Sequence, residues 1–296
     1  MILVPQRLFT APTVRILARD GQNCILHKQL PTEQIEQEAY VANHVVSLVL
    51  SGRQVIRTYE DEVVTVRAGE ALFLPRGVYY ITDLLADGDQ PFSSLLLYFD
   101  DDTIHRFLSD VPVAEVDRDD APEFLRFPAS PTLQAFTAGT LSIAADSIVS
   151  KPLLRLKTQE LLHHLHGLTG SEAFARFLFR LTLPKRRNLR QFMERNYGKP
   201  LGVEDYAYLT GRSVSSFRRD FRDYFGTTPN KWLRSRRLEE AVALLNAREM
   251  SVSELSYTVG YENVSYFIRE FRKVTGLSPK QYMLSRRNDP RPPADA

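Results

Sequence analysis

Residues 203–232 read VEDYAYLTGRSVSSFRRDFRDYFGTTPNKW, and residues 252–282 read VSELSYTVGYENVSYFIREFRKVTGLSPKQY. Aligned, they repeat: Val203, Tyr206, Gly211, Phe217, Phe221, Gly226, Pro229 and Trp232 answer to Val252, Leu255, Gly260, Phe267, Phe271, Gly276, Pro279 and Tyr282. The offset is 49 residues up to Gly260 and 50 beyond it, so the second copy carries one extra residue in the turn after that glycine. Self-similarity at such a period marks a duplicated supersecondary unit. Each copy reads as helix, glycine-containing turn, helix and a glycine–proline stop, the order of a helix-turn-helix.

The first copy predicts a supporting helix over Val203–Thr210, a turn at Gly211–Ser213 and a second helix over Val214–Phe225. Phe217 and Phe221, four apart, face inward, which leaves Arg218, Arg219 and Arg222 on the opposite side. Arginine can pair bidentately with O6 and N7 of guanine in the major groove, each good pair being worth about 1–3 kcal/mol of discrimination. Ser213 and Ser215 stand near the helix start, where they can cap it or reach phosphate. In the second copy, Ser251 followed by Glu254 reads as a capping box, and a second helix is predicted over Val264–Thr275. Phe267 and Phe271 face its core; Asn263, Ser265, Arg269, Arg272 and Lys273 are the candidates for the DNA side. With fewer arginines near its start, this helix is expected to read fewer bases and to lean on phosphate contacts.

Between the copies, Pro229–Asn246 reads as one continuous helix with an apolar stripe of Trp232, Leu233, Leu238, Ala241, Val242, Leu244 and Leu245. Its 18 residues span about 27 Å, enough to hold two recognition helices about one DNA turn apart. Upstream, Asn188–Tyr197 reads as the first helix of this region, and Leu183–Asn188, with Lys185, Arg186 and Arg187, is the boundary and a possible phosphate contact.

The charge balance divides at the same place. Residues 1–183 hold 16 Lys+Arg against 23 Asp+Glu, a net of −7, whereas residues 184–296 hold 22 against 13, a net of +9. Only the back half is therefore expected to meet a polyanion. Length allows about two domains. The single cysteine, Cys24, excludes an intrachain disulfide and a four-cysteine metal site; it is expected to be a small buried hydrophobe. Without a secretory pattern at the start or an apolar run of about 18 residues, no membrane partner is expected and the chain is read as cytoplasmic.

The front half begins with short β-rich runs, clearest at His44–Leu50, Gln54–Tyr59, Val63–Val66, Ala71–Leu74, Tyr79–Leu85 and Ser93–Phe99, and consecutive hairpins closing into a small barrel or sandwich are expected. The stretch Gly69–Gly77, with Pro75, resembles the second motif of the cupin barrels. Where a metal-dependent cupin would carry its histidine this chain has Tyr80, and His44 stands alone, so no metal and no cofactor is expected. His44 is read as a satisfied strand residue. The barrel mouth can still take an organic effector, although its lining is not legible. Asp100–Asp102 would cap a short helix through Thr103–Leu108, and Asp110–Ala129 reads as irregular. Three helical segments follow near Thr132–Ile148, Pro152–Leu168 and Glu172–Leu181. Leu154, Leu161, Leu165 and Leu168 fall on one face of the second, which can cover the barrel or meet the same face of a second subunit; a homodimer contact is the favoured reading. His163, His164 and His166 on that helix do not close a zinc site.

Gly260–Tyr261, Ser265–Phe267, Phe271, Gly276 and Pro279–Tyr282, together with Arg237–Leu245 in the connector, resemble the signature of the AraC/XylS family of bacterial transcription regulators over roughly the last hundred residues. The resemblance implies an α+β chain: a cupin-like regulatory barrel over residues 1–128, a helical segment over 129–183 that is a candidate for dimerisation, and a seven-helix DNA-binding domain with two helix-turn-helix units over 184–296. The helix at Leu153–Leu165 and the degenerate cupin motif are similar to the ExsA-type subgroup, the activators of type III secretion. The implied partners are double-stranded DNA, RNA polymerase and a small-molecule or protein effector at the N-terminal domain. The implied role is activation rather than catalysis. Arginine at both 218 and 219 departs from many relatives, so their base preferences do not carry over. The alternative is a metal-independent cupin enzyme or small-molecule sensor that the basic domain localises on DNA.

Overall fold

The computed structural model describes residues 1–58, 61–88, 90–111, 113, 122–143, 150–169, 172–183 and 187–288. The chain divides into two compact units, Met1–Leu183 and Pro184–Ala296.

The first unit holds eleven strands among the described residues: β1 (Ile2–Val4), β2 (Val14–Asp20), β3 (Asn23–Leu30), β4 (Gln34–Val41), β5 (His44–Ser51), β6 (Arg53–Thr58), β7 (Val63–Arg67), β8 (Ala71–Leu74), β9 (Gly77–Leu84), β10 (Phe92–Phe99) and β11 (Leu125–Phe127). They form a five-stranded sheet in the order β1-β4-β9-β6-β7 and a six-stranded sheet in the order β11-β8-β5-β10-β3-β2. Every pair is antiparallel except β1 with β4.

The expectation of consecutive hairpins holds at β6–β7 and fails at β5–β6. β5 pairs with β8 and β10, while β6 pairs with β7 and β9, so the Ser51–Arg53 junction carries the chain from one sheet to the other. Side-chain chemistry explains the separation. β5 is apolar on successive residues, with Val45 and Val49 in the core between the sheets and Val46 and Leu48 in a second core on the far side. β6 instead alternates, burying Gln54, Ile56 and Thr58 and leaving Arg53, Val55 and Arg57 more open, as suits a strand with one covered face. β11 is a short strand inside the stretch expected to be irregular.

What covers the outer face of the six-stranded sheet is helical: α1 (Asp101–Asp110), α2 (Pro131–Ile143), α3 (Lys151–Leu168) and α4 (Glu172–Thr182). Phe73, Leu95, Leu97 and Phe99 of the sheet share one apolar cluster with Phe107 of α1, Leu133 and Phe136 of α2, Leu154, Leu161 and Leu165 of α3, and Phe174, Phe177 and Leu178 of α4. The unit is thus three layers, sheet on sheet on helices. The leucines expected at a subunit contact sit in this chain's own core: Leu154, Leu161 and Leu165 are buried and Leu168 packs on the same cluster. In this fold Leu154, Leu161 and Leu165 are turned into the core, Leu168 is half-buried, and the large apolar side chain that α3 leaves exposed is Leu156, at 66%.

His44 is buried at the edge of this core. Its Nε2 lies 2.8 Å from Asp101 Oδ1, and its Nδ1 accepts from the Arg76 N–H at 3.3 Å. Tyr80, standing where a cupin metal histidine would, lies under the Arg57 guanidinium, 4.1 Å from the ring centroid. His163 and His166 pack on Phe107, and His164 on Phe136. Among the described residues no group of three or more His, Cys, Asp and Glu is placed to hold a metal ion. Cys24 is buried in β3, and burial pushes its thiol well up. No helix among the described residues is long and apolar enough to cross a membrane.

The second unit is helical, with α5 (Leu189–Asn196), α6 (Val203–Leu209), α7 (Val214–Phe225), α8 (Pro229–Ala247), α9 (Val252–Thr258), α10 (Val264–Thr275) and α11 (Pro279–Asn288) among the described residues.

Candidate nucleic-acid interface

Each half of the second unit is built on the repeated apolar column. Phe217 and Phe221 are fully buried in the first half, and Phe221 stacks on Phe225 with ring centroids 4.4 Å apart while Trp232 of α8 closes edge-on. In the second half Phe267 and Phe271 are fully buried beside Leu238, Ala241, Leu245, Leu255, Val259 and Tyr261, with Tyr282 of α11 edge-on to Phe271. Trp232 and Tyr282 are equivalent in the repeat, so one packing solution was used twice.

Local chemistry sets where the helices begin and end. Ser213 caps α7 by accepting from the Ser216 N–H at 3.2 Å, and Asn263 caps α10 by accepting from the Tyr266 N–H at 2.8 Å. Ser251 and Glu254 form the reciprocal capping box expected of α9. α7 and α10 both stop at a glycine in the left-handed conformation, Gly226 and Gly276. Tighter still is Gly260, at φ +84°, where a Cβ would come within 2.5 Å of the Gly198 carbonyl oxygen. The turn of the second motif therefore lies directly against the Gly198–Lys199 loop.

That loop is held from a second direction. Arg237 of α8 donates from Nε to the Tyr197 carbonyl at 2.8 Å and from Nη2 to the Lys199 carbonyl at 2.5 Å. Tyr206 donates its hydroxyl to the Asn196 carbonyl at 2.8 Å, and burial pushes its pKa up to about 12. The connecting helix is thereby bolted to the support of the first motif by a charged group satisfied on main-chain oxygens.

On the outward side, Arg218, Arg219 and Arg222 of α7 are exposed, as is Ser215, whose Oγ lies 3.1 Å from that of Ser213. Arg219 approaches Asp220 at 3.5 Å and is otherwise 72% exposed. On α10, Ser265, Arg269, Arg272 and Lys273 are exposed, and so is Asn263 at the helix start. Two of these are engaged. Arg269 lies over the Tyr266 ring at 5.2 Å, and Lys273 Nζ lies 2.7 Å from Glu270 Oε1. The fold thus gathers all ten candidates on the two second helices or their caps, with three open arginines on the first and a more self-neutralised set on the second. Lys185 and Arg186 lie outside the described residues; Arg187 is described, with its guanidinium 5.8 Å from the Phe192 ring centroid.

Several residues that position this surface were not singled out from the sequence: Arg212, Asp220, Arg234 and Glu270. Their signal was present, since Asp220 and Glu270 occupy the same place in the repeat. A carboxylate between two phenylalanines shows its partner only once the helices are packed.

Residues 206–285 match the model of a helix-turn-helix domain, and residues 44–177 match the model of the ExsA N-terminal regulatory domain. The HTH-type transcriptional regulator ExsA of Pseudomonas aeruginosa is 26% identical over 221 residues, 74% of this chain and 78% of that protein. The virulence regulon transcriptional activator VirF of Yersinia enterocolitica is 28% identical over 203 residues, 66% of this chain and 72% of VirF. Among solved structures, apo ToxT K231A of Vibrio cholerae aligns over 90% of this chain and 98% of its own at 10% identity and a TM-score of 0.42. Both matched regions fall where the architecture changes, one over the strands and their covering helices, the other over the duplicated unit. With its two helix-turn-helix units behind an ExsA-type regulatory domain, the chain belongs to the AraC/XylS family of bacterial transcription regulators.

Proposed function

We propose that this regulator is a sequence-specific activator whose first recognition helix, α7, does most of the base reading. The observation that carries the reading is the asymmetry of the repeat: the same buried phenylalanine pair supports three exposed arginines on α7, of which Arg219 lies 3.5 Å from Asp220, and a mixed set on α10 in which Arg269 and Lys273 are engaged. Arg218, Arg219 and Arg222 are assigned to base edges in the major groove, with Ser213 and Ser215 beside the helix cap. Asn263, Ser265, Arg269, Arg272 and Lys273 contribute mainly phosphate contacts. The site bound by one chain is then non-palindromic. RNA polymerase is the partner through which activation proceeds, the cytoplasm is where its DNA lies, and the chain carries no catalytic activity of its own. The test is binding to promoter fragments and to random duplexes at several salt concentrations. Tighter binding to a subset of promoters with a shared motif is expected; equal affinity for all DNA would sink the proposal.

Control is assigned to residues 1–128, with residues 129–183 completing that unit and forming a homodimer contact on the outer side of α3, around Leu156. A small organic effector is placed in the cavity of about 490 Å³ lined by Val4, Lys28, Ser47, Gln54, Asp83 and Tyr98 among others. Polar groups there support this reading. Lys28 Nζ lies 2.5 Å from Asp83 Oδ2, and Gln54 donates to Asp83 Oδ1 at 2.7 Å, while Gln54 Oε1 and Ser47 Oγ are buried with no hydrogen-bond partner. Removing the buried amide with Gln54→Leu should leave promoter activity insensitive to culture conditions that modulate the wild type. A variant modulated as fully as the wild type would remove the cavity from the proposal.

A further inference from the structure

Each recognition helix carries one carboxylate at the same repeat position, Asp220 between Phe217 and Phe221 and Glu270 between Phe267 and Phe271. A carboxylate on the inner flank of a helix is costly unless charged donors meet it. The two copies meet that need from different places. Asp220 Oδ2 accepts from Arg212 Nε at 2.9 Å, and Arg212, whose side chain is 8% exposed, also donates to the Thr210 carbonyl at 2.7 Å and the Arg187 carbonyl at 3.0 Å. Arg212 lies in the turn of the first motif itself. The second turn has Tyr261 and Glu262 where an equivalent arginine would stand.

Glu270, its side chain 4% exposed, is met instead by Lys273 at 2.7 Å and by Arg234 Nη1 at 3.3 Å. Lys273 sits one turn along the same helix and so cannot orient that helix against anything. Arg234 belongs to α8, and this ion pair crosses from the connector to the second reading head. Arg212, which meets Asp220, comes from the turn of the same motif, whereas Arg234, which meets Glu270, comes from the strut that separates the two.

We propose that Glu270 and Arg234 are positioning residues that set the angle of the second recognition helix on the connecting helix, and through it the spacing at which one chain reads two DNA segments. Base readout requires side-chain tips held to a fraction of an ångström, and a helix free to roll on its support loses that register. The inference rests on the DNA-reading proposal above.

The full-length chain is incubated with a pool of duplexes carrying about 30 randomised base pairs, roughly three helical turns, and the bound fraction is sequenced. The wild type is expected to select two segments at one spacing, preferred about tenfold over spacings one base pair longer or shorter. Arg234→Gln and Glu270→Gln should each reduce that preference to about threefold or less while the base preferences of the first segment stay unchanged. The double variant should be no worse than either single one, as coupling requires. Lys273→Gln, which removes the other partner of the same carboxylate together with a phosphate contact, should lower affinity for every spacing alike and keep the wild-type ratio between spacings. Should Glu270→Gln fail to fold, Arg234→Gln, at a half-exposed position, carries the test alone. A spacing preference retained in Arg234→Gln, an equal loss in both segments, or a loss in Lys273→Gln as large as in Arg234→Gln would each overturn the proposal. A wild type that selects no motif would overturn the DNA reading itself, a result distinct from any of these.

Discussion

Single side chains divide sharply between reading and holding. Replacing Arg218 or Arg219 with alanine is expected to relax discrimination at one base position by about 1–3 kcal/mol while leaving affinity for random duplexes nearly unchanged. Equal losses on specific and random DNA would remove both from the reading set. Lys273→Ala, by contrast, is expected to weaken all sequences alike. Because Glu270 already compensates its charge, the slope of log affinity against log salt should flatten by less than about one unit. In the first unit, Asp101 shows how a residue holds the fold. Its carboxyl is kept below the ordinary 3.8 first by the hydrogen bond from His44, with burial opposing and the charges of His44, Arg76 and His105 assisting. A depressed native pKa adds stability that is present above the ordinary value and lost as pH falls through the native one. The urea midpoint of the wild type should therefore hold its advantage over Asp101→Asn above the ordinary 3.8 and lose it progressively as pH falls below that value. A difference that stays constant across that fall would contradict the assignment.

At the scale of elements, the two glycines flanking α10 make a graded pair. Gly276 has open space around its Cα, so Gly276→Ala incurs only the left-handed backbone penalty, about 1 kcal/mol. Gly260 combines φ +84° with a main-chain oxygen where the Cβ would go, so Gly260→Ala should cost about 2 kcal/mol or more. Denaturation midpoints that ranked the two in the opposite order would show that the Gly198 loop yields easily. The turn in the second copy lies against the loop ahead of α6 and runs one residue longer before its cap at Asn263 than the first copy does before Ser213. Helices were the most legible elements, because a 3.6-residue apolar period and cap residues are both local: α7 and α10 run over Val214–Phe225 and Val264–Thr275 as the spacing indicates. Strand pairing was less so. β4, with Gln34, Glu36, Gln37 and Glu38 in its eight residues, has no apolar alternation to announce it and is held by its neighbours β1 and β9.

For the molecule as a whole, the division into Met1–Leu183 and Pro184–Ala296 predicts that a fragment of residues 184–296 folds alone and retains the base preferences of the full chain. A fragment that is unfolded by circular dichroism, or folded but indifferent to sequence, would count against the proposal that reading is confined to the back half. The acidic balance of the front half, −7, makes it a poor partner for the phosphate backbone, so its removal should not reduce the salt dependence of binding. The homodimer proposed on the outer side of α3 is tested at the same scale: sedimentation of Leu156→Glu against the wild type should show a shift toward monomer, and an unchanged mass would dismiss that face.

Repetition, charge and periodicity are properties of the chain read along its length. They sufficed for the duplicated motif, the buried phenylalanine columns, the outward arginines and the family to which the regulator belongs. Tertiary structure decided what depends on who lies opposite: that β5 and β6 belong to different sheets, that Leu154, Leu161 and Leu165 are spent on the chain's own core, and that Asp220 and Glu270, equivalent in sequence, find their arginines on different elements. The physical reason is the same in each case. An apolar face or a buried charge states locally that it needs a partner, but only packing supplies the identity of that partner.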